Sequence, residues 1–145
     1  METGFILPDV EDVDTAPFWA AAREGRFVVQ KCGSCGLLRF PPHPFCSSCR
    51  SEAVSWVQTS GRGTIWSFLV HHNPTMPAYA PYAPFPVIVV ALDEGPHLRI
   101  TGNIVAGPDA PINSVDPATI RIGMPVKVVF RHIEDDVTLP YWMAA

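Results

Sequence analysis

Lysine is scarce: only Lys31 and Lys127 occur, and the eight arginines are scattered along the chain. With a formal net charge of −4 at pH 7, the chain lacks the clustered cations that neutralise phosphate. That argues against a protein built to grip nucleic acid. No stretch of about 18 consecutive apolar residues occurs, so no transmembrane helix is expected. The first residues, METGFILPDVEDVD, are acidic and carry no basic segment ahead of an apolar run. They do not read as a secretory signal, and a cytoplasmic protein is the expectation. Internal repeats and low-complexity segments are also missing.

What is present is enough for a core. Apolar residues make up 48% of the 145 and charged residues 17%, which is not the composition of a disordered chain. Proline is abundant, with 16 residues against an average share of about 5%. Proline breaks helices and central strands, so turns and short strands are expected and long helices are not.

The segment Asp14-Thr15-Ala16-Pro17-Phe18-Trp19 to Gly25 reads as one short helix, roughly Ala16 to Glu24. Asp14 or Thr15 can cap it, proline is tolerated in its first turn, and Gly25 suits the left-handed residue that ends it. Phe18, Ala21 and Ala22 form an apolar stripe with Trp19 beside it, which must dock on something because so short a helix does not stand alone. Strands are expected at Phe27–Gln30, Thr64–Val70, Pro86–Leu92, His97–Ile104 and Gly123–Phe130, with a short closing one at Thr138–Trp142. Asp93-Glu94-Gly95 and Asp135-Asp136 mark turns. Trp66 and Phe68 flank Ser67 and are read as sharing one face, in the core or barrel wall. This spacing predicts a mainly β protein: an N-terminal tail and helix (1–26), a metal ribbon (27–58), then a five-stranded OB-fold barrel (59–145). A small sandwich is the alternative that local pattern does not separate.

All four cysteines lie in two Cys-x-x-Cys knuckles, Cys32-Gly33-Ser34-Cys35 and Cys46-Ser47-Ser48-Cys49. A two-residue gap lets both thiolates of a knuckle face one point, and two knuckles supply the tetrahedral set that zinc takes. Gly36 provides freedom for the tight turn, and a short hairpin between the pairs is expected to bring the second knuckle over the first. Disulfides do not suit a cytoplasmic chain, and no βαβ setting for a redox dithiol is visible. The same ligands serve iron in a rubredoxin-type site. A structural role favours zinc, and four protein ligands leave no open position for catalysis.

The order of these pieces resembles the DUF35 family. The resemblance is carried by the Phe18-Trp19 helix, Lys31-Cys32-Gly33-Ser34-Cys35-Gly36, Phe40-Pro41-Pro42, Gly61-Arg62-Gly63-Thr64-Ile65-Trp66-Ser67 and Ile122-Gly123-Met124-Pro125-Val126. It covers about residues 15 to 142. It implies a rubredoxin-like zinc ribbon joined to an OB-fold, acting as a non-catalytic accessory subunit of a thiolase-like, lipid-transfer-protein-type enzyme. The chemistry implied is acyl-CoA chemistry, either a steroid side-chain retro-aldol cleavage or an acyl transfer, with a CoA thioester as ligand of the complex. A two-plus-two heterotetramer is the implied assembly. The segment from Ala106 to Pro117 is longer and richer in proline than the family pattern, and no fused hydratase domain follows the barrel, so a stand-alone subunit is expected.

Individual residues are then weighed for that role. Arg62, between two glycines, either reaches a CoA phosphate or is solvated. His71 and His72 either end a strand as ordinary polar residues or place one imidazole toward a partner's active site. Tyr79, Tyr82 and Phe85, interleaved with prolines, either anchor a partner interface or pack across the barrel mouth. The rival function is a single-stranded nucleic-acid-binding module, since zinc ribbons and OB-folds both serve there, but it needs a basic groove with stacking aromatics.

Overall fold

The computed structural model describes residues 4–145, and among these the chain forms one α-helix, two short 3-10 turns and two antiparallel sheets. The helix α1 spans Ala16–Arg23 and buries Phe18, Ala21 and Ala22. Thr15 occupies its N-cap without a side-chain bond. The Asp12 carboxylate instead accepts from the backbone N–H of Asp14 and Thr15 at 3.0 and 3.2 Å. Gly25 follows the helix with φ of 74°, a left-handed residue as a helix end requires.

The smaller sheet contains β1 (Val28–Cys32), β2 (Leu38–Arg39) and β3 (Val54–Gln58), in the order β2-β1-β3. Trp56 and Val57 lie in β3. They pair with Gln30 and Val29 and complete the ribbon. The larger sheet runs β4 (Arg62–His71), β5 (Phe85–Leu92), β6 (Arg99–Asn103), β7 (Pro125–Glu134) and β8 (Val137–Ala144), in the order β6-β5-β4-β7-β8. A parallel bridge between Ile104 and Trp142, with Val105 N–H donating to the Trp142 carbonyl at 2.8 Å, joins its two ends into the OB-fold barrel. The final hairpin turns at Asp135-Asp136, and β8 is longer than the short closing strand expected.

One core joins the helix, the ribbon and the barrel. Phe18, Phe27, Val28 and Val29 belong to the same buried cluster as Ile65, Ile88, Val90, Leu98, Val126 and Trp142. The Phe27 ring bridges the two sheets, lying edge-on to Phe18 at 5.3 Å and 5.8 Å from Trp142. A second cluster forms at the far end from Phe85, Val105, Ile112 and Tyr141, with Phe5, Tyr79 and Tyr82 packed on it. Arg131 organises this end by donating to the carbonyls of Pro108 and Ala110 and lying over the Tyr141 ring.

Trp66 departs from the alternation read in the sequence. The register between β4 and β5 shifts between Ile65 and Ser67. A bulge of this kind breaks the period-two rule, so Trp66 and Phe68 no longer share a face. Trp66 is 49% exposed, with the Arg99 guanidinium 3.7 Å from its ring centroid, whereas Phe68 packs on the core.

Gly63 leaves no room for a side chain where β4 runs beside β5. A β-carbon there would overlap the Ala91 carbonyl oxygen, and the Val90 side chain would lie 2.7 Å away. Backbone in mid-sheet cannot swing aside, so Gly63→Ala is expected to cost about 1–3 kcal/mol. Thermal or urea unfolding reads this directly, and an unchanged midpoint would show that the strands part at no cost.

Candidate metal centre

The first knuckle is the turn of the β1–β2 hairpin. Gln30 pairs with Arg39 and Lys31 with Leu38, so Cys32 closes the ladder and Cys35 lies in the turn. The hairpin thus contains the first knuckle and does not lie between the two, as the spacing had led us to expect. The second knuckle is carried on the connection from β2 to β3.

The two knuckles repeat one backbone pattern. Cys32 N–H donates to the Leu37 carbonyl at 2.9 Å, and Cys46 N–H donates to that of Ser51 at 2.9 Å. Gly36 and Arg50 return bonds to the carbonyls of Cys32 and Cys46 at 3.0 and 2.9 Å. Both occupy the left-handed region, with φ of 78° and 64°. Glycine adopts that conformation freely, whereas a residue with a β-carbon is strained by it. The sequence marked Gly36 for this role but not Arg50; the signal was its place, four residues after the first cysteine of its knuckle. Ser34 and Ser51 tie the knuckles together by a hydroxyl bond of 2.7 Å.

The four sulfur atoms lie within 4.8 Å of one another. Cys32 Sγ and Cys49 Sγ are 3.5 Å apart, and Cys35 Sγ and Cys46 Sγ 3.6 Å. Ligands about 2.3 Å from a central zinc ion at tetrahedral corners stand roughly 3.8 Å from each other. The donor set therefore fits zinc, and all four cysteines are free thiols. Cys32 and Cys46 are buried and Cys35 and Cys49 exposed.

Backbone N–H groups prepare the set for charge. Those of Cys35 and Ser34 point at Cys32 Sγ, each at 3.4 Å, and lower its pKa to about 6. Cys46 is lowered in the same way by the N–H groups of Cys49 and Ser48. At Cys35 the N–H of Leu37 also pulls downward, but the neighbouring sulfur of Cys46 and burial outweigh it and raise the pKa to about 11. Thiolates crowded this closely cannot all ionise without a cation among them.

The other candidate residues are dispersed. Arg62 is exposed at the start of β4, and His71 at its end lies with its ring 5.3 Å from Phe85, while His72 is exposed just beyond. The Tyr79 and Tyr82 rings are half-buried under Phe5, which stacks on Tyr79 at 4.0 Å and meets Tyr82 edge-on at 5.5 Å. Phe85 is only 4% exposed. Its ring lies 6.3 Å from that of Tyr79 and supports the loop from below.

A closed four-cysteine ribbon sharing a core with a five-stranded barrel defines a zinc-ribbon OB-fold protein. Models of two domain families match in tandem: the ChsH2 rubredoxin-like zinc ribbon domain over residues 19–55 and the ChsH2 C-terminal OB-fold domain over residues 56–131. The chain belongs to the DUF35 family of ChsH2-type proteins.

Relatives place it further. It is 32% identical to a DUF35 domain-containing scaffold protein of Pyrococcus furiosus, over 81% of this chain and 79% of that one. It is 35% identical to the 3-oxo-4,17-pregnadiene-20-carboxyl-CoA hydratase alpha subunit of Mycobacterium tuberculosis, over 84% of this chain but only 35% of that subunit's length. Among solved structures, a chain of the Ltp2-ChsH2(DUF35) aldolase superposes with a TM-score of 0.77 at 34% identity, over 94% of this chain and 98% of that one.

Three sets of outcomes are expected at this centre. Elemental analysis of the purified protein finds a single zinc ion per chain, and Cys46→Ser abolishes tight binding. Because protons compete for thiolates and Cys35 is held up at about 11, zinc affinity falls progressively as pH drops, and most steeply below about 6, where Cys32 protonates too; affinity flat across that range would contradict the site. At the left-handed positions, Gly36→Ala lowers the unfolding midpoint of the zinc-loaded protein while Arg50→Gly leaves it unchanged or raises it. The strain involved is about 1 kcal/mol, and a lower midpoint for Arg50→Gly would mean its side chain matters more than its backbone.

Proposed function

We propose that this chain is a non-catalytic accessory subunit of an acyl-CoA complex built on a thiolase-like, lipid-transfer-protein-type partner. The observation that carries this reading is the likeness to the DUF35 chain of the Ltp2-ChsH2 aldolase, which extends over nearly that whole chain. The scaffold name of the archaeal relative points the same way. Within the reading, the reaction is a carbon–carbon cleavage of retro-aldol type, with acyl transfer as the second member of the class. The CoA-thioester name of the mycobacterial relative supports a steroid-like acyl-CoA as the substrate class. The assembly is two plus two.

In this scheme the zinc is structural and the partner supplies the reacting groups. Arg62 is offered to a CoA phosphate, since a guanidinium matches phosphate oxygens. His71 and His72, at the end of β4, line the approach to the partner's channel. Tyr79 and Tyr82 give the partner a stiff aromatic contact that loses little entropy on binding.

The test is co-expression with a thiolase-like, lipid-transfer-protein-type protein from the same organism, followed by light scattering of the purified material. A heterotetramer is expected, with acyl-CoA cleavage that needs both chains and CoA binding that appears only in the complex. His71→Ala with His72→Ala slows turnover of the assembled complex several-fold without dissociating it. A chain that stays alone would overturn this reading, and one that binds single-stranded oligonucleotides in a salt-sensitive way would replace it with the nucleic-acid one.

A further inference from the structure

A buried cation lies in the ribbon without a carboxylate to meet it. Arg39 is 5% exposed and Gln30, its register partner across the β1–β2 hairpin, 2%. Register partners project to the same face of a sheet, and so does the residue two further along a strand. The Arg39 guanidinium therefore occupies the face of β1 that also carries Cys32.

Its donors are only partly used. Arg39 Nε donates to Gln30 Oε1 at 2.7 Å, and Nη2 donates to the His43 carbonyl at 3.2 Å. His43 N–H donates to the same Gln30 oxygen at 2.8 Å. Nη1 is buried with no hydrogen-bond partner. Among the described residues the one ion pair, Arg26 with Glu24, is exposed and does not include Arg39.

Burying a charged guanidinium is costly unless an anion lies nearby, and arginine cannot shed its proton to escape that cost. Four thiolates around a divalent ion make a dianion. His43, clasped on both sides by Gln30 and Arg39, is three residues ahead of Cys46. The same network therefore holds the segment that delivers the second knuckle.

We propose that Arg39, held by Gln30, is a positioning residue of the metal centre. It braces His43, so that Cys46 and Cys49 meet Cys32 and Cys35, and its charge offsets the dianion formed when the metal binds. Gln30 has to be neutral for this: it accepts both hydrogen bonds while leaving the arginine's charge uncancelled.

Gln30→Glu tests the charge without disturbing the brace, because it is nearly isosteric and keeps an acceptor for both Arg39 and His43. Zinc affinity of the full chain is measured by competition with a chromophoric chelator at neutral pH. The cobalt-substituted protein's visible absorption serves as an independent reading of the four-sulfur geometry. Gln30→Glu is expected to weaken zinc binding roughly 10- to 100-fold, the usual effect of losing a partner that supports metal ligands, with the cobalt spectrum unchanged. Arg39→Met, which keeps the apolar stem, weakens binding at least as much and alters the spectrum. If Gln30→Glu bound zinc as tightly as the unaltered chain, or more tightly, the proposal would be overturned. That variant decides the matter even if Arg39→Met fails to fold.

Discussion

Sulfur atoms brought within 4.8 Å of one another repel as soon as they ionise, and a divalent cation turns that repulsion into attraction that ties both knuckles together. The ribbon depends on this. Its sheet has strands of five, two and five residues, too little surface to hold itself together by burial alone. Metal binding free energy substitutes for hydrophobic area, as it does in other small metal-held units.

The consequence reaches beyond the ribbon because the core is continuous. Val28 and Val29 extend from the strand that carries Cys32 into the cluster that includes Trp142 and Ile65. Phe27 sits between them and the helix, and its carbonyl accepts from both the backbone N–H and the hydroxyl of Thr59 at 2.9 and 2.8 Å. His97, in the barrel's β5–β6 connection, reaches the Leu38 carbonyl of the ribbon at 2.8 Å. The metal thus fixes one wall of a shared interior, and the barrel presents its other faces from a rigid base. Under the proposed accessory-subunit reading, such rigidity is what this chain would contribute to its partner.

Much of this was legible in the residues themselves. Cysteine spacing named the metal ligands, because zinc's coordination leaves few other ways to arrange two Cys-x-x-Cys pairs. The β-branched run Val87-Ile88-Val89-Val90 marked a strand paired on both edges, and it lies between β4 and β6. The misreadings came where tertiary geometry overrides local period. A bulge after Ile65 turned Trp66 outward, and nothing in the alternation announces a bulge. Arg50 adopts a conformation read only for Gly36, because only the repeat of the knuckle requires it. Arg39 looks like any surface arginine in sequence, and its burial is decided by pairing with Gln30. The tyrosine loop read evenly as interface or packing; Phe5, from the N-terminal tail, covers part of it.

The central claim is that the metal centre and the barrel form one cooperative unit. Hydrogen–deuterium exchange before and after zinc is stripped by a chelator tests it most directly. The account predicts that protection is lost in β1 and β3 and also in α1 and around Trp142 on β8, through the Phe27 contacts. Exchange confined to the knuckles, with the helix and β8 as protected as before, would contradict it.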